Sequence, residues 1–131
     1  MARGLSVTVI FLSALWPLQG FAQLRDGVYD AYDCTAEVSD LRIAVRGREL
    51  AFYETTCRLG EPEPVEGMEG AALYWADCTG EGETWRDRFL LKHHVSGALD
   101  VASSHWFERH RHCNNRSPQA ETSLGSGNPP D

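Results

Sequence analysis

Thiols, imidazoles and clustered carboxylates are the groups in this chain that could do chemistry, and their spacing decides which of them can act together. The densest mixture is LAFYETTC, Leu50 to Cys57, which carries two aromatic rings, a carboxylate, two hydroxyls and a thiol. A cysteine nucleophile needs a free thiolate with a base beside it. Glu54 stands three residues before Cys57, so on an extended chain their side chains point to opposite faces. The chain has four cysteines, Cys34, Cys57, Cys78 and Cys113, and neither CRLG nor DCTG is a redox CxxC pair. An even count in a short chain reads as two disulfides.

Five histidines follow: His93, His94, His105, His110 and His112. On an extended strand His110 and His112 share a face with Glu108, a pair able to chelate Zn or Cu. No HExxH is present, and no cofactor motif. GEGETW lacks the GK[ST] element of a phosphate loop, and its glutamates repel phosphate, so its glycines serve a turn. The carboxylates cluster more tellingly. Glu61, Glu63, Glu66 and Glu69 fall in the loop RLGEPEPVEGMEG, and Glu81 and Glu83 in TGEGE. An acidic loop anchored beside a disulfide-tethered strand can dock onto a basic protein, because complementary charge speeds encounter and sets orientation. These six glutamates are the candidate binding residues. A carboxylate-based enzyme would need two acids at a set separation across a cleft, and no motif marks such a pair.

The elements that must position these groups begin after the N-terminus. Arg3, the apolar run Leu5 to Trp16 and the exit PLQGFA have the layout of a secretory signal, with a cut expected between Ala22 and Gln23. The run is shorter than the roughly 20 residues of a membrane span. An exported chain, periplasmic or extracellular, is the compartment in which disulfides persist. Cleavage would leave 109 residues, one domain, with 11 basic side chains against 19 acidic ones and a formal charge of −8. That balance argues against nucleic acid and anionic membranes as partners, and suits a basic protein.

The expected domain, residues 23–113, reads as short strands between turn signals. LRIAVRG alternates, with Leu41, Ile43 and Val45 on one face and Arg42 and Arg46 on the other. RGRE turns at Gly47, and ELAFYETTC continues as one strand. AALYWADC and TWRDRFLLKHH flank the turn TGEGE, and Asp87 interrupts the apolar face of Trp85, Phe89 and Leu91. A sixth strand follows Ser96–Gly97 and runs out to Cys113. Trp75, Trp85 and Trp106 are expected to fill the core, and Tyr53 to bury its ring. Six strands without helical crossovers predict an all-β fold, a small antiparallel barrel or strongly curved meander sheet. In such a meander, strand parity puts Cys34 near Cys57 and Cys78 near Cys113, which predicts those two pairings. NNRSPQAETSLGSGNPPD, 114–131, holds one leucine in 18 residues and reads as a disordered tail.

The segments GVYDAYDC, SDLRIAVRGRELAFYETTC and DCTGEGETW with the final Cys113 resemble a group of uncharacterised small exported bacterial proteins. Their pattern of signal peptide, β-rich domain and two disulfides is similar to that of the periplasmic inhibitors of c-type lysozyme, which are small antiparallel barrels. The resemblance implies a barrel and a non-enzymatic binding role, with a cationic hydrolase as the partner class. The inhibitors' recognisable segment, a glycine- and tyrosine-bearing strand coupled to a Ser or Ala, matches no stretch here, so none of their residues is carried over. An envelope metal-binding protein using His110 and His112 is the alternative, and a small carboxylate enzyme the third reading.

Overall fold

The structure is a computed structural model, and it describes residues 24–114. The expected signal peptide and all but the first residue of the expected tail lie outside that range. Strands follow one another from end to end, with no helix among the described residues: β1 (Gly27–Asp30), β2 (Arg42–Arg46), β3 (Glu49–Ala51), β4 (Thr55–Leu59), β5 (Glu63–Pro64), β6 (Ala71–Gly80), β7 (Glu83–His93), β8 (Leu99–Ala102) and β9 (Phe107–His112).

Every pairing is antiparallel, and, β4 and β5 apart, neighbours in sequence are neighbours in the sheet. Closure comes from two further ladders, β1 with β9 and β4 with β6. The result is a closed eight-stranded barrel, β1-β2-β3-β4-β6-β7-β8-β9, with no open sheet edge on its wall. The short β5 continues β4 along the same partner strand. Leu59 faces Ala76 and Glu63 faces Leu73, so three residues (60–62) oppose two (74–75), a bulge that lets the acidic excursion leave the wall.

Alternation then sorts the side chains. Tyr29, Ile43, Leu50, Leu91, Leu99 and Val101 point inward and are buried almost completely, filling one end of the barrel. Each such aliphatic residue truncated to alanine costs about 2–5 kcal/mol, the transfer term plus the cavity left behind. Val28, Ala44 and Cys113 form a second, outer cluster against Cys34 and Ala51. The long β1–β2 connection folds back over that outer face and is pinned there by the Asp30–Arg42 ion pair at 3.0 Å.

The predicted disulfide pairing is wrong. The bonds are Cys34–Cys113 and Cys57–Cys78, with Cα separations of 5.4 and 4.0 Å. The physical reason is two unforeseen reversals. ELAFYETTC is not one strand: it folds back at Tyr53–Glu54, where the Phe52 N–H donates to the Thr55 carbonyl at 2.7 Å. The last segment also reverses, with the Ser103 N–H donating to the Trp106 carbonyl at 2.9 Å. Each reversal flips strand parity, which brings Cys57 opposite Cys78 across β4–β6 and Cys113 beside Val28 on the outer face of β1. Two disulfides indicate an oxidising location.

Candidate functional site

Four connections leave the barrel at the same end: the loop 31–41, the β3–β4 turn, the two-residue β6–β7 turn and the segment 103–106. Between them the interior is open. A cavity of about 380 Å³ extends inward from this mouth to the Cys57–Cys78 bond, Ile43 and His110. Its side walls are rings. Phe52 and Phe89 stack with centroids 6.0 Å apart, and Trp106 meets Phe52 edge-on at 5.9 Å and Phe89 at 6.3 Å. Trp85 lines it from β7, and Gly80 is what allows its approach. A Cβ on Gly80 would stand 2.7 Å from the Glu54 carbonyl oxygen and 3.3 Å from the Trp85 ring, so any larger residue would push the β3–β4 turn outward.

The polar groups of the cavity share one sign of charge. Asp40, Asp87 and Glu108 line it, and among the described residues no lysine or arginine does. Strand alternation produces this segregation. On β7, Trp85, Asp87 and Phe89 face in while Arg86 and Arg88 face out. On β9, Glu108 and His110 face in while Arg109 and Arg111 face out. The outward cations are engaged elsewhere. Arg86 and Arg88 lie 5.0 and 4.9 Å over the Trp75 ring. Arg109 donates to both oxygens of Asp100, and Arg111 to the Tyr32 carbonyl.

His110 is the unusual member. It is 2 % exposed, and its Nδ1 is buried with no hydrogen-bond partner among the described residues. A buried polar atom left unpaired costs about 1–3 kcal/mol. Burial pushes its pKa below the usual histidine value, and the Glu108 charge, the Leu99 backbone, the Asp30 charge and the Glu108 backbone offset only part of that. At neutral pH the ring is therefore uncharged and able to accept one hydrogen bond.

The structure separates the residues that sequence reasoning grouped as a metal pair. His110 lines the cavity, whereas His112 lies toward the other end, 5.0 Å from the Tyr29 ring, with Nδ1 2.6 Å from Asn114 Oδ1. No group of three or more His, Cys, Asp or Glu able to hold a metal occurs among the described residues. Of the six glutamates, Glu61 is paired with Arg48 at 2.6 Å and Glu63 with Arg88 at 2.6 Å, on the excursion away from the mouth. Glu66 and Glu69 are exposed on that same excursion. Glu81 and Glu83 stand at the β6–β7 turn, on the mouth's own end, and Glu81 adopts a left-handed φ of 50°.

The aromatic expectations need correction. Trp75 lies outside the wall, Trp85 and Trp106 stand at the mouth, and all three are 41 % exposed. Tyr53 is exposed in its turn, because the reversal there ejects its ring from the strand. The residues that sequence reasoning did not assign to a site are Asp40, Asp87, Phe52 and the two mouth tryptophans. One signal was present, since Asp87 sits in the inward phase of an otherwise apolar strand face. No family model, curated protein or solved structure matches this chain.

Proposed function

We propose that the chain is an exported, non-catalytic binding domain for a basic protein, a cationic hydrolase such as lysozyme being the first partner to test, and that it docks at the open end of the barrel. One observation carries the reading. The cavity is lined by three carboxylates, the buried His110 and aromatic rings, and among the described residues by no lysine or arginine. Such a site attracts positive charge and repels negative charge.

The surroundings favour a protein over a small molecule. Tyr53, Trp85, Trp106 and Phe107 are all exposed at this end, together with Leu41. Exposed aromatics around a concave centre are the composition of a protein interface, with rings as anchors and acids at the rim. This reading moves the binding surface from the excursion 60–70, where Glu61 and Glu63 are already neutralised by this chain's own arginines, to the opposite end. Glu81 and Glu83 remain part of it, as rim acids. The disulfides and the signal-like N-terminus support a location in the periplasm or outside the cell.

The test is binding and inhibition of c-, g- and i-type lysozymes at low ionic strength. Binding that weakens steeply with added salt is expected. Absence of both binding and inhibition across the three types removes the lysozyme version.

A further inference from the structure

Resting on that reading, we infer that the basic partner docks by strand addition: an extended segment of it pairs antiparallel with the edge of β9 at Phe107 and Arg109. The seam that joins β1 to β9 is short. Among the described residues, only Tyr29 with His112 and Asp30 with Arg111 pair across it as a ladder. Beyond Asp30 the chain turns out of the sheet, its Tyr32 and Asp33 amides donating to Asp30 Oδ1. β9 rises past that seam to the mouth, and there residues 107–110 are paired with β8 alone.

Hydrogen-bond phase shows what that edge offers. The Cys113 N–H donates to the Val28 carbonyl, and the Ser103 N–H to the Trp106 carbonyl. Main-chain groups of the odd-numbered residues of β9 therefore point toward the β1 side, and those of the even-numbered ones toward β8. Past Arg111, the N–H and C=O groups of Arg109 and Phe107 face the β1 side with no partner among the described residues. Such a row is a template for another strand. A charged side chain commonly guards an edge of this kind. Here Arg109 is drawn back onto β8 by both oxygens of Asp100, its direct neighbour on that strand. Phe107 is 61 % exposed beside it. Strand alternation then sets the occupant's side chains. The residue opposite Glu108 shares its inward phase and enters the cavity, where Asp40, Asp87 and Glu108 favour a lysine or arginine without distinguishing them. Its two neighbours, opposite Arg109 and Phe107, exchange the main-chain bonds. A second copy of this acidic chain would bring like charge to the mouth, so a basic partner is the better occupant.

The test follows backbone amides by NMR in the oxidised, isotope-labelled protein, with the acetylated and amidated pentapeptide Thr-Val-Lys-Val-Thr as probe. In the free protein the Phe107 and Arg109 amides are expected to exchange at least about tenfold faster than those of Glu108 and His110. The peptide is expected to shift both amides and to slow their exchange. N-methylation of its first valine, which removes a donor aimed at β9, is expected to weaken binding at least about fivefold, the worth of one main-chain hydrogen bond. N-methylation of the lysine is expected to leave affinity within about twofold, because that N–H points away from β9. Equal losses from the two methylations, or no response to the peptide while a basic lysozyme shifts the mouth amides, overturns strand addition and leaves docking at the mouth intact. Slow exchange of Phe107 and Arg109 in the free protein also overturns it. The edge is then covered by residues 115–131 or, where protection rises with concentration, by a second copy. If neither the peptide nor a basic lysozyme perturbs the mouth amides, both readings fall.

Discussion

Asp30, fully buried on the outer face of β1, accepts hydrogen bonds from the Tyr32 and Asp33 amides, the Ser39 hydroxyl and Arg42 Nε. One carboxylate thus closes the turn after β1 and anchors the far end of the 31–41 loop. Removing one member of a buried ion pair leaves the other charge uncompensated, at about 3–5 kcal/mol. Asp30→Ala is accordingly expected to lose about that much in urea unfolding. Asp100 makes a second, more exposed cluster. Hydrogen bonds from Arg109 first, and then from His94, hold its carboxyl down from 3.8 to about 2. A carboxyl lowered on folding contributes stability that is present above 3.8 and lost as pH falls through about 2. Unfolding free energy measured across that window should fall less steeply with acid in Asp100→Asn than in wild type. At this scale the sequence was informative about phase and silent about side. Asp87 and His110 were legible as members of particular strand faces. Trp75 was not, because β6 carries apolar residues on both faces, Leu73 and Trp75 outward against Tyr74 and Ala76 inward. Period two cannot say which set is inside.

Strand order depends on where the chain reverses, and two reversals carry no strong turn signal. FYET holds no glycine, proline or asparagine, yet the chain folds back there because Leu50 and Cys57, directly opposite, bury their side chains in the same core. Tertiary packing overrode local preference. The β6–β7 turn, by contrast, was legible from TGEGE, and its Glu81–Gly82 pair has positive φ at both positions, as a tight hairpin between twisted strands requires. The two crosslinks differ in what they hold. Cys57–Cys78 joins neighbouring strands 21 residues apart, while Cys34–Cys113 spans 79 residues and clamps the 31–41 loop to the outer wall. On loop-closure entropy these are worth about 3.3 and about 4.5 kcal/mol. A Cys34→Ser/Cys113→Ser variant should therefore unfold at lower urea than Cys57→Ser/Cys78→Ser, by about 1 kcal/mol. Mass mapping of the unreduced protein checks the connectivity directly, a peptide joining Cys34 to Cys113 being the expected product.

The whole molecule is acidic, with a formal charge of −7, but the structure distributes that charge unevenly. The glutamates that look most prominent in sequence lie partly in ion pairs on the excursion, and the acids that converge come from three separated segments: Asp40, Asp87 and Glu108. Composition and alternation made the all-β class and the barrel legible, since short strands with hairpin turns leave few ways to bury one face and protect the edges. The mouth was not legible, because it exists only after β4 and β6 close the wall and bring β7 and β9 around one opening. The central claim is that positive charge is received there and not on the excursion. Titration calorimetry of a basic c-type lysozyme at low ionic strength measures this most directly, using wild type, Asp40→Asn/Asp87→Asn/Glu108→Gln and Glu66→Gln/Glu69→Gln. The account predicts binding by wild type, at least about tenfold weaker binding by the mouth variant, and unchanged affinity for the excursion variant. Loss of binding in the excursion variant, with the mouth variant unaffected, would contradict it.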